Sequence, residues 1–359
     1  MTMIRAFVLI SLFLLTDTSS AHHGTTGQFD HSTTINVAGV VTKIRFVNPH
    51  SYVYFDVTND DGGVDEWRCE MRAATVLRRS GWSAEMFAPG THIKIEGVPA
   101  RREPHGCYVE TIALDDGDVI ERYQQLESAD KGNVERESRL ADGTPNLAGD
   151  WAAPQRLLTN EGVRASATGG PAGPGRPGGR PGGSRYQQSA AGAEASAGFV
   201  REDNPRFHCM ATNIFMDWTF DQHINRIDQD NDTITLTYGF MDIVRTIHLN
   251  IDSHPENIEP SRAGHSIGTW DGDTLVVDTV GFAEGYLDTR QGTKHSDQLH
   301  VVEKFSLGED GNSLIRTYVG EDSLYLTATF EGRDEIKVSE SEFDPYNCED
   351  LTTEIVEGF

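Results

Sequence analysis

In the first third of the chain, five short runs alternate apolar and polar positions, which is the pattern of a strand with one buried face. A short helical stretch at 73–80 separates the third run from the fourth. Five strands with a helix between the third and the fourth are the order of a small OB-like barrel. The predicted strands are 37–46, 52–58, 64–71, 91–98 and 107–114.

Strand candidates also follow one another closely in the last part of the chain, nearly all of them joined by short Gly, Asp or Asn turns. Antiparallel strands in this number hide their edges in a closed barrel or in a sandwich, and both alternatives stay open. We therefore predict an all-β protein with two modules. The candidates are 213–220, 233–239, 243–250, 265–270, 274–280, 299–306, 313–319, 323–330 and 335–342.

Between the two strand-rich regions lies a stretch of Gly, Pro and Ala at 166–198, which is too poor in apolar side chains to form a core. We predict a flexible Gly/Pro-rich linker whose removal has little effect on folding. The predicted division of the chain is a signal peptide (1–21), an OB-like β module (22–118), a polar segment with the linker (119–206) and an antiparallel β-barrel or sandwich (207–359).

The first 21 residues have the organisation of a secretory signal. Arg5 supplies the positive start, Ala6 to Leu15 form an apolar run, and Ser19-Ser20-Ala21 is a small-residue cleavage site. The apolar run is about half as long as a bilayer span requires. We predict cleavage after Ala21, no membrane insertion, and a periplasmic or secreted protein.

Charge excludes some partners. The chain of 359 residues has 30 Lys and Arg against 56 Asp and Glu, a formal net charge of −26, without a basic run to offset it. Such a chain does not neutralise the phosphates of a nucleic acid and is repelled by an anionic membrane surface. A small-molecule ligand is the partner that remains, while protein partners stay open.

The four cysteines fit an oxidising compartment. Two of them lie in each half of the chain, so pairing within each half leaves the linker uncrossed. We favour disulfides Cys69–Cys107 and Cys209–Cys348. A zinc site of four cysteines is the alternative, but no C-x2-C spacing supports it.

Cleavage after Ala21 would make His22 the N-terminal residue. Its α-amine and imidazole can chelate a copper ion, and His23 or His50 can complete the site. His50 follows Pro49 in a predicted turn that could present the ring. The alternative is that all three histidines are ordinary solvated or turn residues. Copper is the one cofactor that the sequence raises, and we predict no other.

The hairpin at 265–280 offers candidate acid–base residues. If Asp271-Gly272 form a two-residue type I′ loop, His265 faces Asp278 across one sheet face. A carboxylate that orients an imidazole is the arrangement used in general acid–base catalysis. A three-residue loop would separate the pair, and a purely structural hydrogen bond is the other alternative.

Glu303 is the third candidate. In the run 299–305 it shares a face with Leu299, Val301 and Phe305. A carboxylate on an apolar, barrel-facing row would be desolvated, which raises its pKa toward neutrality. Alternatively, Glu303 pairs with an arginine such as Arg245 or Arg316.

Several longer phrases resemble a widespread bacterial exported family of unknown function. They are Ala21-His22-His23-Gly24, Phe29-Asp30, Gly39-Val40-Val41 and Asn48-Pro49-His50-Ser51-Tyr52 for its opening module, and 264–279 and 295–304 for the barrel that often follows it. The resemblance implies export and the two-module fold, and it carries no established reaction. The Gly/Pro-rich linker departs from the family's short connection.

Three functions compete. The first is a small, largely apolar ligand bound in the C-terminal barrel, with His265, Asp278 and Glu303 acting as a cofactor-independent isomerase, lyase or hydratase. The second is a carrier with the same pocket and no turnover. The third is a copper-binding protein that uses His22, His23 and His50.

Overall fold

The computed structural model describes residues 28–115, 117–126, 136–153, 186–200, 203–220 and 223–349. The predicted signal peptide, His22 and His23 lie outside these residues. The described chain is all-β with two modules, as predicted. No helix in the described ranges has the length and apolar character that crossing a membrane requires.

The N-terminal module is a five-stranded closed barrel with one added edge strand. Its sheet order is β3-β2-β1-β4-β5-β6, and β3 also pairs with β5, which closes the barrel. The helix α1 (Ala74–Arg79) lies between the third and fourth strands, so the OB-like order is confirmed. The strands are β1 (Ile35–Arg45), β2 (Tyr52–Thr58), β3 (Val64–Glu70), β4 (His92–Pro99), β5 (Gly106–Leu114) and β6 (Val119–Glu121).

The predicted disulfide Cys69–Cys107 joins β3 to β5 at the seam that closes this barrel. Both cysteines are buried in the module's apolar core, beside Val53 and Phe55. The second predicted disulfide, Cys209–Cys348, is also present. Two buried or half-buried disulfides are typical of proteins from oxidising compartments.

The C-terminal module is a closed nine-stranded barrel, which decides between the predicted barrel and sandwich. Its order is β10-β11-β12-β15-β16-β17-β7-β8-β9, with β9 pairing back to β10, and β13 and β14 form a separate hairpin. The strands are β7 (Gly149–Ala152), β8 (Ile224–Gln229), β9 (Thr233–Thr237), β10 (Val244–His248), β11 (His265–Asp271), β12 (Thr274–Val280), β13 (Gly285–Asp288), β14 (Thr293–His295), β15 (Leu299–Leu307), β16 (Ser313–Asp322) and β17 (Phe330–Val338).

The strand predicted at 213–220 is wrong, because polar side chains fold this stretch into turns. Asn213 Oδ1 accepts hydrogen bonds from the backbone N–H groups of Phe215 and Met216, and Asp217 Oδ2 accepts from that of Thr212. Such bonds occupy backbone N–H groups that would otherwise pair with a neighbouring strand. The strand that pairs with β9 is β8, at 224–229, and one strand at 330–338 replaces the two predicted at 323–330 and 335–342.

The predicted boundary at 207 is too late, because the C-terminal barrel takes a strand from the segment assigned to the linker. β7 pairs with β17 and β8, and Trp151 on β7 is fully buried in the barrel core. A four-residue strand has little periodicity of its own, so the alternation did not reveal it.

The end of the predicted linker is also part of the barrel. Residues 186–198 include the helix α2 (Ala190–Ala195) and the buried Tyr186, which contacts Phe330 with ring centroids 5.1 Å apart. Gln188 forms a β-bridge with Leu326. The prediction that 166–198 is wholly a flexible linker is therefore wrong for these residues, while 166–185 lie outside the described ranges.

Gly192→Ala tests this packing. A Cβ on Gly192 would lie 2.1 Å from the backbone oxygen of Tyr325, so the helix must move away from the barrel. We expect a loss of about 1–3 kcal/mol in the free energy of unfolding of the C-terminal barrel, measured in urea. Glu194→Ala, on the exposed side of the same helix, is the control and should change little. If both variants are equally stable, residues 186–198 do not pack tightly on the barrel and the prediction of a flexible linker would stand.

Asn48 joins the two modules. Its side-chain nitrogen donates to the backbone oxygen of Tyr346, and its backbone oxygen accepts from the N–H of Glu349 at 2.8 Å. Its side-chain oxygen accepts from the N–H and the hydroxyl of Thr75, each at 3.2 Å. Thr75 Oγ1 lies 3.1 Å from Nδ1 of His223 in the C-terminal module. Asn48 is buried, so the polar contacts of this interface are shielded from water.

His223 is neutral at this interface. Burial, together with the positive charges of Arg72, Arg79 and Arg206, lowers its pKa to about 3. Its ring also contacts Tyr346, with centroids 5.0 Å apart. An uncharged imidazole between the modules is compatible with the apolar rings beside it.

Candidate functional site

Glu303 points into the C-terminal barrel, as predicted, and is fully buried. Its surroundings are not the predicted apolar ones, because Arg245 and Arg316 both donate hydrogen bonds to its carboxylate. Arg245 also donates to the hydroxyls of Ser266 and Thr279, at 2.9 and 2.7 Å. The alternative, a carboxylate paired with these two arginines, is the arrangement found.

The β11–β12 hairpin has a different register from the predicted one. Its two-residue loop is Gly272-Asp273, so His265 pairs with Val280, and Asp278 pairs with Ile267. Arg139 holds the Asp273 carboxylate in the loop with two hydrogen bonds of 2.9 and 2.7 Å. The prediction that His265 directly faces Asp278 is therefore wrong. Both side chains remain on one face, since moving the loop by one residue shifts each pairing by two.

That shared face is the outer face of the barrel. On β11 and β12 the buried positions are Ser266 and Gly268, and Leu275, Val277 and Thr279, while His265 and Asp278 alternate with them. Glu303 points to the opposite, interior side of its strand. The sheet thus lies between Glu303 and the other two predicted acid–base residues, which excludes a single site made of all three.

A loop histidine connects the separated pair. His254 Nδ1 lies 2.8 Å from Nδ1 of His265, and His254 Nε2 lies 2.9 Å from Oδ1 of Asp278. On the other side, His300 Nε2 lies 2.9 Å from Oδ2 of Asp278, and His300 Nδ1 lies 3.1 Å from Glu321. We call these five residues the histidine network.

The pKa values of His265 and His300, at the two ends of the histidine network, are shifted in opposite directions. Burial lowers the pKa of His265, and repulsion by the protonated forms of His254 and His248 lowers it further. Burial would also lower the pKa of His300, but its hydrogen bonds to Asp278 and Glu321 outweigh that and raise it. The surroundings therefore favour the neutral form of His265 and the cationic form of His300, which suit a base and an acid respectively.

Asp278 is the ionised centre of the histidine network. Burial would raise the pKa of its carboxyl, but hydrogen bonds from His300 and His254 lower it below the usual value. In the tautomer whose Nε2–H donates to Asp278, Nδ1 of His254 accepts from the Nδ1–H of His265. The Nε2 of His265 is then an unprotonated nitrogen, as a general base requires.

A groove of about 560 Å³ lies beside the histidine network on the same face. Val302 of its floor pairs with Asp278 on one side and with Val319 on the other. Val319, a second apolar residue of the groove, is 47 % exposed. Lys304 and Arg333 lie at its edge, Arg333 with Glu335 at 3.2 Å, and Glu331 lies opposite Val319. The groove therefore combines apolar side chains with charges of both signs, and Lys304 is its cation without a carboxylate partner among the described residues.

Three residues of the histidine network, His254, His300 and Glu321, were missed by sequence reasoning. His300 lies on the face of its strand opposite to Glu303, and Glu321 lies across from it on β16. His254 lies in the long connection between β10 and β11, where no periodicity indicates the direction of a side chain. The available signal was composition, since His248, His254 and His265 lie close together in the sequence.

The N-terminal module contains a separate His–carboxylate pair. His50 Nδ1 lies 3.0 Å from Oε1 of Glu70, a side chain that is 3 % exposed, whereas His50 itself is 43 % exposed. Burial would raise the pKa of Glu70, but the charge and hydrogen bond of His50 lower it, with Arg122 and Tyr52 contributing. Of the predicted copper ligands, only His50 is among the described residues.

Within the described part of the chain, no group of three or more His, Cys, Asp or Glu side chains is arranged to hold a metal ion. His248 and His265 have stacked rings, with centroids 5.2 Å apart, and His265 and His254 are bonded directly to each other. The ring nitrogens of the histidine network are thus used mainly in hydrogen bonds among its own members.

Comparison with known sequences adds a family for one module. No curated protein matches the chain. Residues 11–108, which reach from the predicted signal peptide to the start of β5, match the model of DUF6152, a family of unknown function, so the resemblance to an uncharacterised family is confirmed for this part of the chain.

Proposed function

We propose that the outer face of the C-terminal barrel binds a small amphipathic anion and transfers protons on it without a cofactor, as an isomerase, lyase or hydratase does. The histidine network carries the proposal: one ionised carboxylate, Asp278, is hydrogen-bonded to His254 and His300, and His254 connects it to His265. This revises the sequence hypothesis, which placed a largely apolar ligand inside the barrel: the proposed site moves to the outer face, its ligand carries an acidic group, and His254 and His300 replace Glu303.

The roles follow from the opposite pKa shifts of the two end histidines. A pair of titratable groups whose surroundings move their pKa values apart provides an acid and a base at one pH. His265, with its lowered pKa, is the base, and His300, with its raised pKa, is the acid. Asp278 stabilises the imidazolium that forms when a proton reaches the His265–His254 pair.

The spacing suits a small ligand. His265 pairs with Val280, and Thr279 pairs with Val301, so Val280 lies in the same cross-strand row as His300. Two strand spacings separate His265 from His300, about 10 Å. A molecule of a few carbon atoms lying over Val280 can therefore reach both rings.

The rest of the ligand would follow β15. His300, Val302 and Lys304 alternate outward along this strand and span about 13 Å. Lys304 has no ion pair or hydrogen bond with another residue in the described ranges. An acidic group at Lys304, an apolar body on Val302 and a reacting carbon near His300 would match the three side chains in order.

The proposed chemistry needs no oxidant or metal. The Nε2 of His265 takes a proton from a carbon of the ligand, and the electron pair of the broken C–H bond stays on the ligand. Both N–H groups of His300 point at carboxylates, so the proton that it gives is the one on Nδ1, once the ligand displaces the exposed carboxylate of Glu321. This proton goes either to another carbon, which isomerises the ligand, or to a departing hydroxyl, which leaves as water. Charge is conserved within the histidine network, so the next ligand needs only proton exchange with solvent.

We further propose that the protein is exported to the periplasm or the medium after cleavage at Ala21. The support is the signal-like pattern of residues 1–21 together with the two disulfides. A reducing cytoplasm would not maintain them.

Untargeted turnover measurements test the catalytic proposal. A small-molecule extract is incubated with the protein, and mass spectrometry follows every component over time. We expect the wild type to convert an acidic, partly apolar compound, and His265→Gln and His300→Gln each to slow this by about 100-fold or more. His92→Gln, an exposed histidine on β4, is the control and should act as the wild type.

The pH profile of the same conversion distinguishes these roles from a structural one. The rate should rise as His265 loses its proton, below about pH 6.5, and fall as His300 loses its proton, above about pH 6.5. Full activity in both variants would contradict the catalytic assignment. Binding of a compound that is never converted would identify a carrier instead.

A further inference from the structure

We infer that His248 is a positioning residue for the proposed base: its ring stacks on that of His265, holds this ring in place and keeps its Nε2 free of a proton. The inference rests on the proposed function, because it gives His248 a task at the same site. The observation that carries it is the stack, in which the ring centroids lie 5.2 Å apart and the ring planes differ by 19°.

The pairing of two strands brings the two rings together. β10 runs parallel to β11, with Ile247 opposite Ser266 and His248 opposite Ile267. Since alternate residues of a strand share a face, His248 and His265 both lie on the outer face of the barrel. The backbone of β10 therefore places His248 beside His265.

The ring nitrogens of His248 make no hydrogen bond or ion pair with any other residue that the structure describes. The two nitrogens of His254, in contrast, are bonded to His265 and Asp278. His248 thus acts on His265 through the face of its ring and through its charge. A face-to-face stack restricts rotation of the His265 ring, so Nδ1 stays directed at His254 and Nε2 stays directed away from it.

Charge is the second effect of the stack. Two adjacent imidazoles repel each other when both carry a proton, so they titrate as a coupled pair. The groups that face His265 are His248 from β10 and His254 from the connection before β11, with Asp278 of β12 reached through His254. Burial and the protonated forms of the two neighbouring histidines lower the pKa of His265. His265 therefore stays unprotonated to a lower pH than it would without His248.

An NMR titration tests the inference, because it requires no turnover. The Cε1 proton signal of His265 is identified by its absence in His265→Gln, and it is followed in the full chain from about pH 4 to about pH 8. In His248→Gln, which removes the stacked ring and its charge, we expect the pKa of His265 to shift upward. His248→Phe keeps a stacked ring and its burial but removes the charge, and it should shift this pKa upward as well.

The control is His92→Gln. His92 is an exposed histidine on β4 of the other barrel, so its removal should leave the pKa of His265 as it is in the wild type.

The pH profile of the proposed conversion gives a second readout. The rate rises with pH as His265 loses its proton, so a higher pKa should move this rise to higher pH in both His248 variants. The largest rate should fall by up to about 100-fold in His248→Gln, which loses the stack, and should be kept in His248→Phe.

Two results would overturn the inference. An unchanged pKa of His265 in both His248 variants would do so and would leave the proposed function intact. A shift in His248→Gln without one in His248→Phe would do so too, because burial and not the charge of His248 would then set the pKa. A wild type that converts no compound but shows the expected shifts would refute the proposed function and still support the coupling of the two rings.

Discussion

Replacing Glu303 by Gln is expected to lower the free energy of unfolding of the C-terminal barrel by about 3–5 kcal/mol. Glu303 is the buried carboxylate that faces both Arg245 and Arg316. Arg316 keeps Asp334 at 2.6 Å, but among the described residues Arg245 has no carboxylate partner besides Glu303 and otherwise donates to hydroxyls. Removing one member of a buried ion pair leaves an uncompensated charge, which costs about this much.

Denaturation in urea measures the effect, with Glu309→Gln as the exposed control, expected within about 0.5 kcal/mol of the wild type. A double variant, Glu303→Leu with Arg245→Met, removes both charges and should recover most of the loss. A Glu303→Gln protein as stable as the wild type would show that the pair is not needed. Failure of the double variant to recover would assign the loss to packing.

The Cys209→Ser/Cys348→Ser variant should lose about 5 kcal/mol of stability in the C-terminal barrel. The disulfide closes a loop with a sequence separation of 139, and the entropy that a cross-link removes from the unfolded chain grows with the loop. The matched variant, Cys69→Ser/Cys107→Ser, opens a separation of only 38 and should cost its own barrel about 4 kcal/mol.

Urea unfolding, monitored by the tryptophan fluorescence of each barrel, measures the two losses. Trp151 and Trp218 report on the C-terminal core and Trp82 on the N-terminal core. A larger loss at Cys69–Cys107 than at Cys209–Cys348 would contradict the loop-length argument. Residual structure in the unfolded chain would then dominate the effect.

The N-terminal barrel was predictable where a strand has one buried face. In β4 the buried positions alternate along most of the strand, as Ile93 and Ile95 show, so the sequence displays the period of two directly. β7 and the stretch at 213–220 were not predictable in this way. One is too short to have a period, and in the other the Asn213 and Asp217 side chains compete for the backbone.

For the candidate site, the alternation of the strands places His265 and Asp278 on one face of their hairpin, as predicted. It also places Glu303 on the side of its strand that faces the barrel interior. It could not place His254, because a loop side chain acquires its direction only from tertiary contacts. The pairing of His265 was misjudged for a similar reason. Arg139, distant in sequence, holds Asp273 in the hairpin loop, and no local signal reveals that contact.

The Asn48 contact has a consequence for the geometry of the whole chain. Residues 346–349 belong to the C-terminal module through Cys348, yet they are bonded to the turn that presents His50. The distance between His50 and the C-terminal barrel is therefore set by the hydrogen bonds of Asn48 to Tyr346 and Glu349, and not by how many residues connect the modules. Insertions and deletions between Ala153 and Tyr186 can therefore accumulate without moving the N-terminal barrel relative to the C-terminal barrel.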